Sequence, residues 1–225
     1  MKFFDKDILH LDRHLVIVNK PAGIVTQRDP ADRTNSVEDA LQKYLCHLLA
    51  KPKVFCHPVH RLDKNVSGIL VFATSSKALS RLQQAFRERD SIEKTYYALV
   101  EGRIQKEGTL RHYLEKKSFH AKVYEQKHPH AKEAVLSIAI LLQENPSLIA
   151  IQLHTGRYHQ IRAQLGFIGH PICGDQKYGS KTSSHQIDLH HGKLIFSHPV
   201  TKSSIIVVCK PPFLDATMWA QITRQ

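Results

Sequence analysis

The sequence predicts an α+β protein built on a mixed, largely antiparallel sheet flanked by helices. Three observations carry that expectation. Strand-like runs rich in Val, Ile and Leu outnumber helix-like ones; they lack the regular βαβ alternation of a doubly wound parallel sheet; and "QENPS" reads as a hairpin turn between two of them. At 225 residues the chain suits one domain spanning 1–225, long enough to bury a sizeable core without metals or crosslinks.

The elements follow in order. "HLVIVNKPAG" is a β-branched strand from His14 to Val18, stopped by the Pro21/Gly23 turn. "SVEDALQKYLCHLL" repeats apolar residues at Val37, Leu41, Tyr44, Leu45 and Leu48, which predicts a helix. "ILVFA" is a buried-strand run, and "SSKALSRLQQAFRER" is a Ser-capped helix with Leu79, Leu82 and Phe86 on one face. "TYYALVEG", "AVLSIAILL", "LIAIQL", "KLIFS" and "SIIVVC" add strands. Between Leu153 and Gly179, Ile161, Leu165 and Ile168 recur at helical spacing, so a short helix should turn His159 and Arg162 away from its core side. The most polar stretch, "KKSFHAKVYEQKHPHAKEA", is expected to be a long surface loop, and "GSKTSSHQ" a second exposed segment.

With 32 Lys+Arg against 20 Asp+Glu, the formal charge is +12, so the surface should attract polyanions, nucleic acid first among them. Cys46, Cys56, Cys173 and Cys209 are scattered, no signal-peptide pattern opens the chain, and a reducing cytoplasm is the expected location. No apolar run approaches the roughly twenty residues of a membrane helix. "CHLLAKPKVFCHPVH" gathers Cys and His but lacks the C-x(2–4)-C spacing that would preorganise zinc ligands, so no metal is expected.

The chemistry concentrates in two stretches. In "HPVHRLDKNVSGIL", Asp63 sits among His57, His60, Arg61 and Lys64, on a loop leading into a core strand. Buried alone, a carboxyl takes up a proton; an adjacent Arg lowers its pKa by about 1–3 units, so the surrounding cations should keep Asp63 charged. In "TGRYHQIRAQLGFIGHPICGDQKYG", a helix N-terminus beside Arg157 offers a phosphate site. Lys20, Arg157, His159, Lys177, Lys181, Arg81, Arg87 and Arg89 are further candidates for contact with a nucleic-acid backbone.

These motifs, "HRLDKNVSG", "KTYYALVEG" and "TGRYHQIRAQLGFIGHPICGDQKYG", with "LVIVNKPAGIV" before and "LHHGKLIFSHPVT" after them, resemble in order the motif set of the RluA family of RNA pseudouridine synthases. The resemblance implies a mixed sheet with a central RNA-binding cleft, conversion of uridine in ribosomal or transfer RNA to pseudouridine, and no cofactor or metal. It makes Asp63 the catalytic nucleophile, Arg162 its ion-pair partner, and Tyr96 the ring that meets the flipped uracil. It gives Arg61 an RNA contact, with His60 beside it. Tyr97, alternating to the other side of its strand, is expected to fill the core. The sequence departs from the commoner family pattern at Asn65–Val66, Gln164 and His191, which bears on target choice and removes no catalytic group. The catalytic motifs begin almost at Met1, so target choice is expected to come from the catalytic domain or from RNA shape. The chain is expected to work as a monomer. A noncatalytic RNA-binding or ribosome-assembly protein on the same fold is the alternative, against which Asp63, Tyr96 and Arg162 all stand intact. A zinc nucleobase deaminase fails for want of H-x-E and P-C-x-x-C.

Overall fold

The computed structural model describes residues 5–28, 36–88, 92–184 and 186–223. Arg89 and His185 fall outside the described residues. The chain divides into two units, Met1–Glu93 with Lys193–Cys209, and Lys94–Gly192 with Lys210–Gln225.

In the first unit, β1 (Ile8–Leu11) turns into β2 (Leu15–Lys20) around Asp12, whose Oδ1 accepts the backbone N–H groups of His14 and Leu15 at 2.7 and 2.9 Å. β2 pairs antiparallel with β4 (Ser67–Ala73) from Leu15↔Ala73 to Lys20↔Gly68. The two-residue β3 (His57–Pro58) adds to the same strand. All seven residues of β4 are buried, which explains why it reads as an unbroken apolar run rather than an alternating one. On one face Leu15, Ile17, Ile69 and Val71 pack with Ala78, Leu82 and Phe86 of α2 (Ser76–Glu88). Leu194 and Phe196 of β10 (Leu189–Ser197) join this core, and β10 forms an antiparallel hairpin with β11 (Ser204–Val208).

Between β2 and β4 lies α1 (Val37–Leu48), started by a reciprocal capping box. The Ser36 hydroxyl accepts the Asp39 N–H at 3.1 Å, and the Asp39 carboxylate accepts the Ser36 N–H at 3.2 Å.

The second unit carries β5 (Glu93–Val100), β6 (Gly108–Lys117), β7 (His120–Tyr124), β8 (Lys132–Leu142) and β9 (Ser147–Leu153) in the spatial order β5-β9-β8-β6-β7, antiparallel throughout, so that two hairpins lie side by side and β5 closes on β9. β8 and β9 form the hairpin expected at "QENPS". The expected loop from Lys116 is instead largely the β6–β7 hairpin, turning at Ser118–Phe119. Its exposed Lys and His side chains hide a strand pattern whose buried positions are His112, Leu114 and Ala121, with Val123 packed beside Leu114 and Ala121. β1, β3 and α4 (Ala216–Thr223) are likewise elements that the sequence pattern did not announce.

α3 (Gln160–Phe167) corrects another expectation. Rather than showing Arg162 away from a core side, the helix is buried from Gln160 through Leu165. The amide N–H groups of its glutamines are bonded: Gln160 Nε2 donates to the Val135 carbonyl at 3.1 Å, and Gln164 Nε2 to that of Ala134 at 3.2 Å, while Gln164 Oε1 is left without a partner among the described residues. Close approach of α3 to the 3-10 turn Gln176–Tyr178 requires Gly166, where a Cβ would lie 2.6 Å from the Tyr178 carbonyl oxygen.

Removing the α1 cap with Ser36→Ala should lower unfolding free energy by about 1 kcal/mol, read as a shifted urea midpoint at unchanged slope.

Candidate active site

In the first unit the candidate nucleophile sits in the loop between β3 and β4. That loop is fixed from two sides. Thr26, buried, exchanges hydrogen bonds with Leu62: its hydroxyl donates to the Leu62 carbonyl at 3.1 Å and accepts the Leu62 N–H at 3.2 Å. One residue beyond Asp63, the Lys64 carbonyl accepts both the Gly23 N–H at 2.8 Å and the Lys20 ammonium at 3.1 Å. The Val66 N–H closes the turn on the Asp63 carbonyl at 3.1 Å. Leu62 and Val66 are buried, while Asp63 between them is half-buried. The backbone on both sides of this carboxylate is therefore held while its side chain keeps access to solvent.

Lys20 departs from its expected role. It is 0 % exposed, and its Nζ donates to the carbonyls of Pro21 at 2.9 Å, Ile24 at 2.8 Å and Lys64 at 3.1 Å, so it presents no surface to a phosphate. Burial lowers its pKa to about 7, and the charge of Asp63 acts against that fall. Lys20 thus braces the loop and places a cation under Asp63's influence.

His60 is also tied into its unit: its Nε2 accepts the Val71 N–H at 3.3 Å, and its ring stacks on Phe86 at 5.2 Å. Arg61, Arg81 and Arg87 are exposed.

In the second unit, Tyr96 and Tyr97 occupy successive positions of β5, both 7 % exposed. Tyr96 stacks on His191, with ring centroids 4.5 Å apart at 14°. Tyr97 meets the edge of Trp219 at 5.1 Å, and burial pushes its hydroxyl pKa up. Arg162 makes a two-pronged ion pair with Asp175, Nε to Oδ2 at 2.6 Å and Nη2 to Oδ1 at 2.9 Å, and both side chains are buried. Its guanidinium carbon lies 5.2 Å from the Tyr178 ring centroid. The Tyr178 hydroxyl accepts the Ala121 N–H at 2.8 Å and bonds His159 Nδ1 at 2.9 Å; burial pushes its pKa to about 12.

Asp175 and Tyr178 were missed as site residues, although the "GDQKYG" motif contains both. The pairing depends on the turn at Gly174, which has φ +82° and where a Cβ would lie 2.0 Å from the Gln186 carbonyl oxygen. His159 precedes α3 with a left-handed φ of 51° and stacks on Tyr158 at 3.9 Å. Arg157 Nε donates to the Glu133 carbonyl at 2.8 Å, and exposed Lys177 donates to that of Phe119 at 2.9 Å. The first-turn acceptor beside Arg157 is Gln160 Oε1, which takes the Arg157 N–H at 2.9 Å. Among the described residues no three His, Cys, Asp or Glu side chains gather as metal ligands, and no helix is long and apolar enough to cross a membrane.

A mixed, largely antiparallel sheet, an aspartate anchored on its loop and a formal charge of +12 are together consistent with an enzyme that works on a polyanion. The comparisons place it more closely. The family model for RNA pseudouridylate synthase matches residues 14–166, a span that includes Asp63, Tyr96 and Arg162. The chain is 33% identical to tRNA pseudouridine synthase C of Vibrio parahaemolyticus over 96% of this chain and 93% of that one. It is 32% identical to the dual-specificity RNA pseudouridine synthase RluA of Pasteurella multocida, over 92% and 94% of the two chains. The solved structure of human RNA pseudouridylate synthase domain containing 4 superposes with a TM-score of 0.77 at 25% identity, covering 97% of this chain and 93% of that one. The chain belongs to the RluA family of RNA pseudouridine synthases and is an isomerase acting on RNA.

Two outcomes follow. Asp175→Ala leaves a buried guanidinium without its carboxylate and should cost about 3–5 kcal/mol of stability in urea unfolding. Lys20 binds its proton more weakly folded than unfolded, so between its folded pKa of about 7 and its higher unfolded value the unfolded chain holds more protons. Stability should then rise with pH from about 7 to 9, by at most about 1.4 kcal/mol per unit, and Lys20→Met should flatten the rise. Above that range Cys56 and Tyr178, both pushed to about 12, act in the opposite sense.

Proposed function

We propose that this enzyme isomerises uridine in ribosomal or transfer RNA in the cytoplasm, as a monomer with a single catalytic domain over 1–225, with Asp63 as nucleophile. The observation that carries this reading is the family's HRLD carboxylate held on a loop that is braced on both sides yet open to solvent. The chemistry breaks the bond from C1′ to N1 of uracil, turns the base, and joins C1′ to C5. C5 gives up its proton and N1 gains one, so no oxidant or cofactor is needed. An ionised carboxylate suits both attack beside the sugar and proton removal from the base.

Tyr96, by its place in the motif, meets the turned uracil ring. Arg162, likewise by its place in the motif, is the third catalytic residue, and its two-pronged bond to Asp175 fixes the plane of its guanidinium. Arg61 helps hold the flipped nucleotide, whose departure from its stack costs a few kcal/mol, least in a loop. A relative named for transfer RNA supports that class as a target, and another named for dual specificity supports more than one kind of RNA site. Mapping pseudouridines in RNA from cells with and without the protein identifies the uridine.

Asp63→Asn should abolish pseudouridine formation while leaving RNA affinity nearly unchanged; retained turnover in a pure sample would remove Asp63 from the nucleophile's role. Arg162→Met should cut turnover by roughly a hundredfold or more, and Arg162→Lys should restore only part, because a point charge lacks the planar fork. Thermal melting of both variants separates lost catalysis from lost folding.

A further inference from the structure

A groove of about 490 Å³ opens in the second unit, lined by Leu114, Glu115, Lys116, His130, Lys132, Gly156, Arg157 and Tyr158. None of Asp63, Tyr96 and Arg162 lines it. Lys116 and Lys132 are exposed, and the Lys116 ammonium stands 5.0 Å from the Tyr158 ring centroid. The groove's carboxylate, Glu115, is engaged on both oxygens, by Lys117 at 2.6 Å and by the Tyr124 hydroxyl at 2.8 Å. The hydrogen bond from Lys117 is the main cause of its lowered pKa. The groove therefore keeps a basic character.

Next to it, the β6–β7 hairpin turns at Ser118–Phe119. Phe119 is 76 % exposed, the highest value among the large hydrophobic residues described. Its carbonyl is held by Lys177 at 2.9 Å, and the N–H of Ala121, two residues on, by Tyr178 at 2.8 Å. The tip is thus fixed through its backbone while the ring gains nothing from burial. Turns favour Gly, Asn, Asp and Ser at such positions; a bare phenyl there is unexplained by folding.

We propose that this groove and the Phe119 tip bind a single-stranded stretch of RNA flanking the target uridine, with Lys116, Lys132 and Arg157 on its phosphates and Phe119 stacked on a base. A cation array beside sequence-tolerant aromatic faces is the chemistry that holds unpaired RNA. The inference rests on the reading of the chain as an RNA enzyme, and it adds a subsite outside the catalytic residues.

The test measures binding rather than turnover, so its result is independent of Asp63's role. Labelled oligouridine is titrated against the full-length protein over a series of salt concentrations, beside an abasic oligonucleotide of equal length. Lys116→Gln with Lys132→Gln should lower the salt slope by about 0.7 per lost phosphate contact, and the paired Lys→Arg variants should retain it. Phe119→Ala should weaken oligouridine about fivefold or more, as expected for loss of one stacked base, and leave both the abasic strand and the slope unchanged. Wild-type affinity and slope in the Lys→Gln pair would overturn the groove while leaving the enzyme's assignment untouched. Equal loss for abasic and base-bearing strands in Phe119→Ala would overturn the stacking. Competition by polyglutamate as strong as by oligouridine at matched charge would overturn RNA in favour of an acidic protein partner. A wild-type protein with no affinity for oligouridine would overturn both this subsite and the reading beneath it.

Discussion

The buried ammonium of Lys20 is the interaction on which the first unit's active loop depends. Its three donors reach carbonyls on both sides of a gap in the sequence, Pro21 and Ile24 on one and Lys64 on the other. Desolvating an ammonium is expensive, and burial alone would strip its proton. The nearby charge of Asp63 opposes that loss. The same lysine that feels the charge of Asp63 also fixes the backbone next to it, so loop geometry and local electrostatics come from one residue. The construction recurs at the end of β11, where Lys210 donates to the carbonyls of Pro211 and Leu214, again one and four residues on. There it clasps only its own turn; in the first unit the extra bond to Lys64 converts a turn clasp into a tertiary brace.

In the second unit a buried ion pair plays the corresponding part. Arg162 and Asp175 are both nearly solvent-free, and each would be costly without the other. Gly166 and Gly174 make room for the backbone approaches that bring them together. Around this pair, Tyr178 links His159 of the α3 entry to Ala121 of β7. Arg162 and the hairpin that carries Phe119 are thus held by neighbouring residues of one short turn.

Much of this was legible in the sequence where pattern and position coincide. The loop placement of Asp63 follows from a charged segment entering an unbroken apolar run, and the strands β2, β4, β5, β8 and β9 from β-branched density. Legibility failed where a polar side chain is buried through bonds to distant backbone. Lys20 before a proline reads as a surface cation, because the Lys64 carbonyl that receives it lies 44 residues away. Arg162 reads as the outer face of a helix, yet α3 is buried from Gln160 through Leu165, with the amides of Gln160 and Gln164 bonded to β8. Asp175 follows a glycine turn whose tertiary course no spacing rule gives. The β6–β7 hairpin was concealed because exposed Lys116, Lys117, His120 and Lys122 dominate its turn and break the apolar alternation.

The coupling of Lys20 to Asp63 is the physical claim nearest the centre of this account, and it is measurable directly. Heteronuclear NMR of the lysine side chains should show Lys20 titrating near its lowered pKa of about 7. In Asp63→Asn, loss of the neighbouring negative charge should move that pKa further down. A Lys20 titrating at the ordinary lysine value, or one indifferent to the substitution at Asp63, would contradict the account.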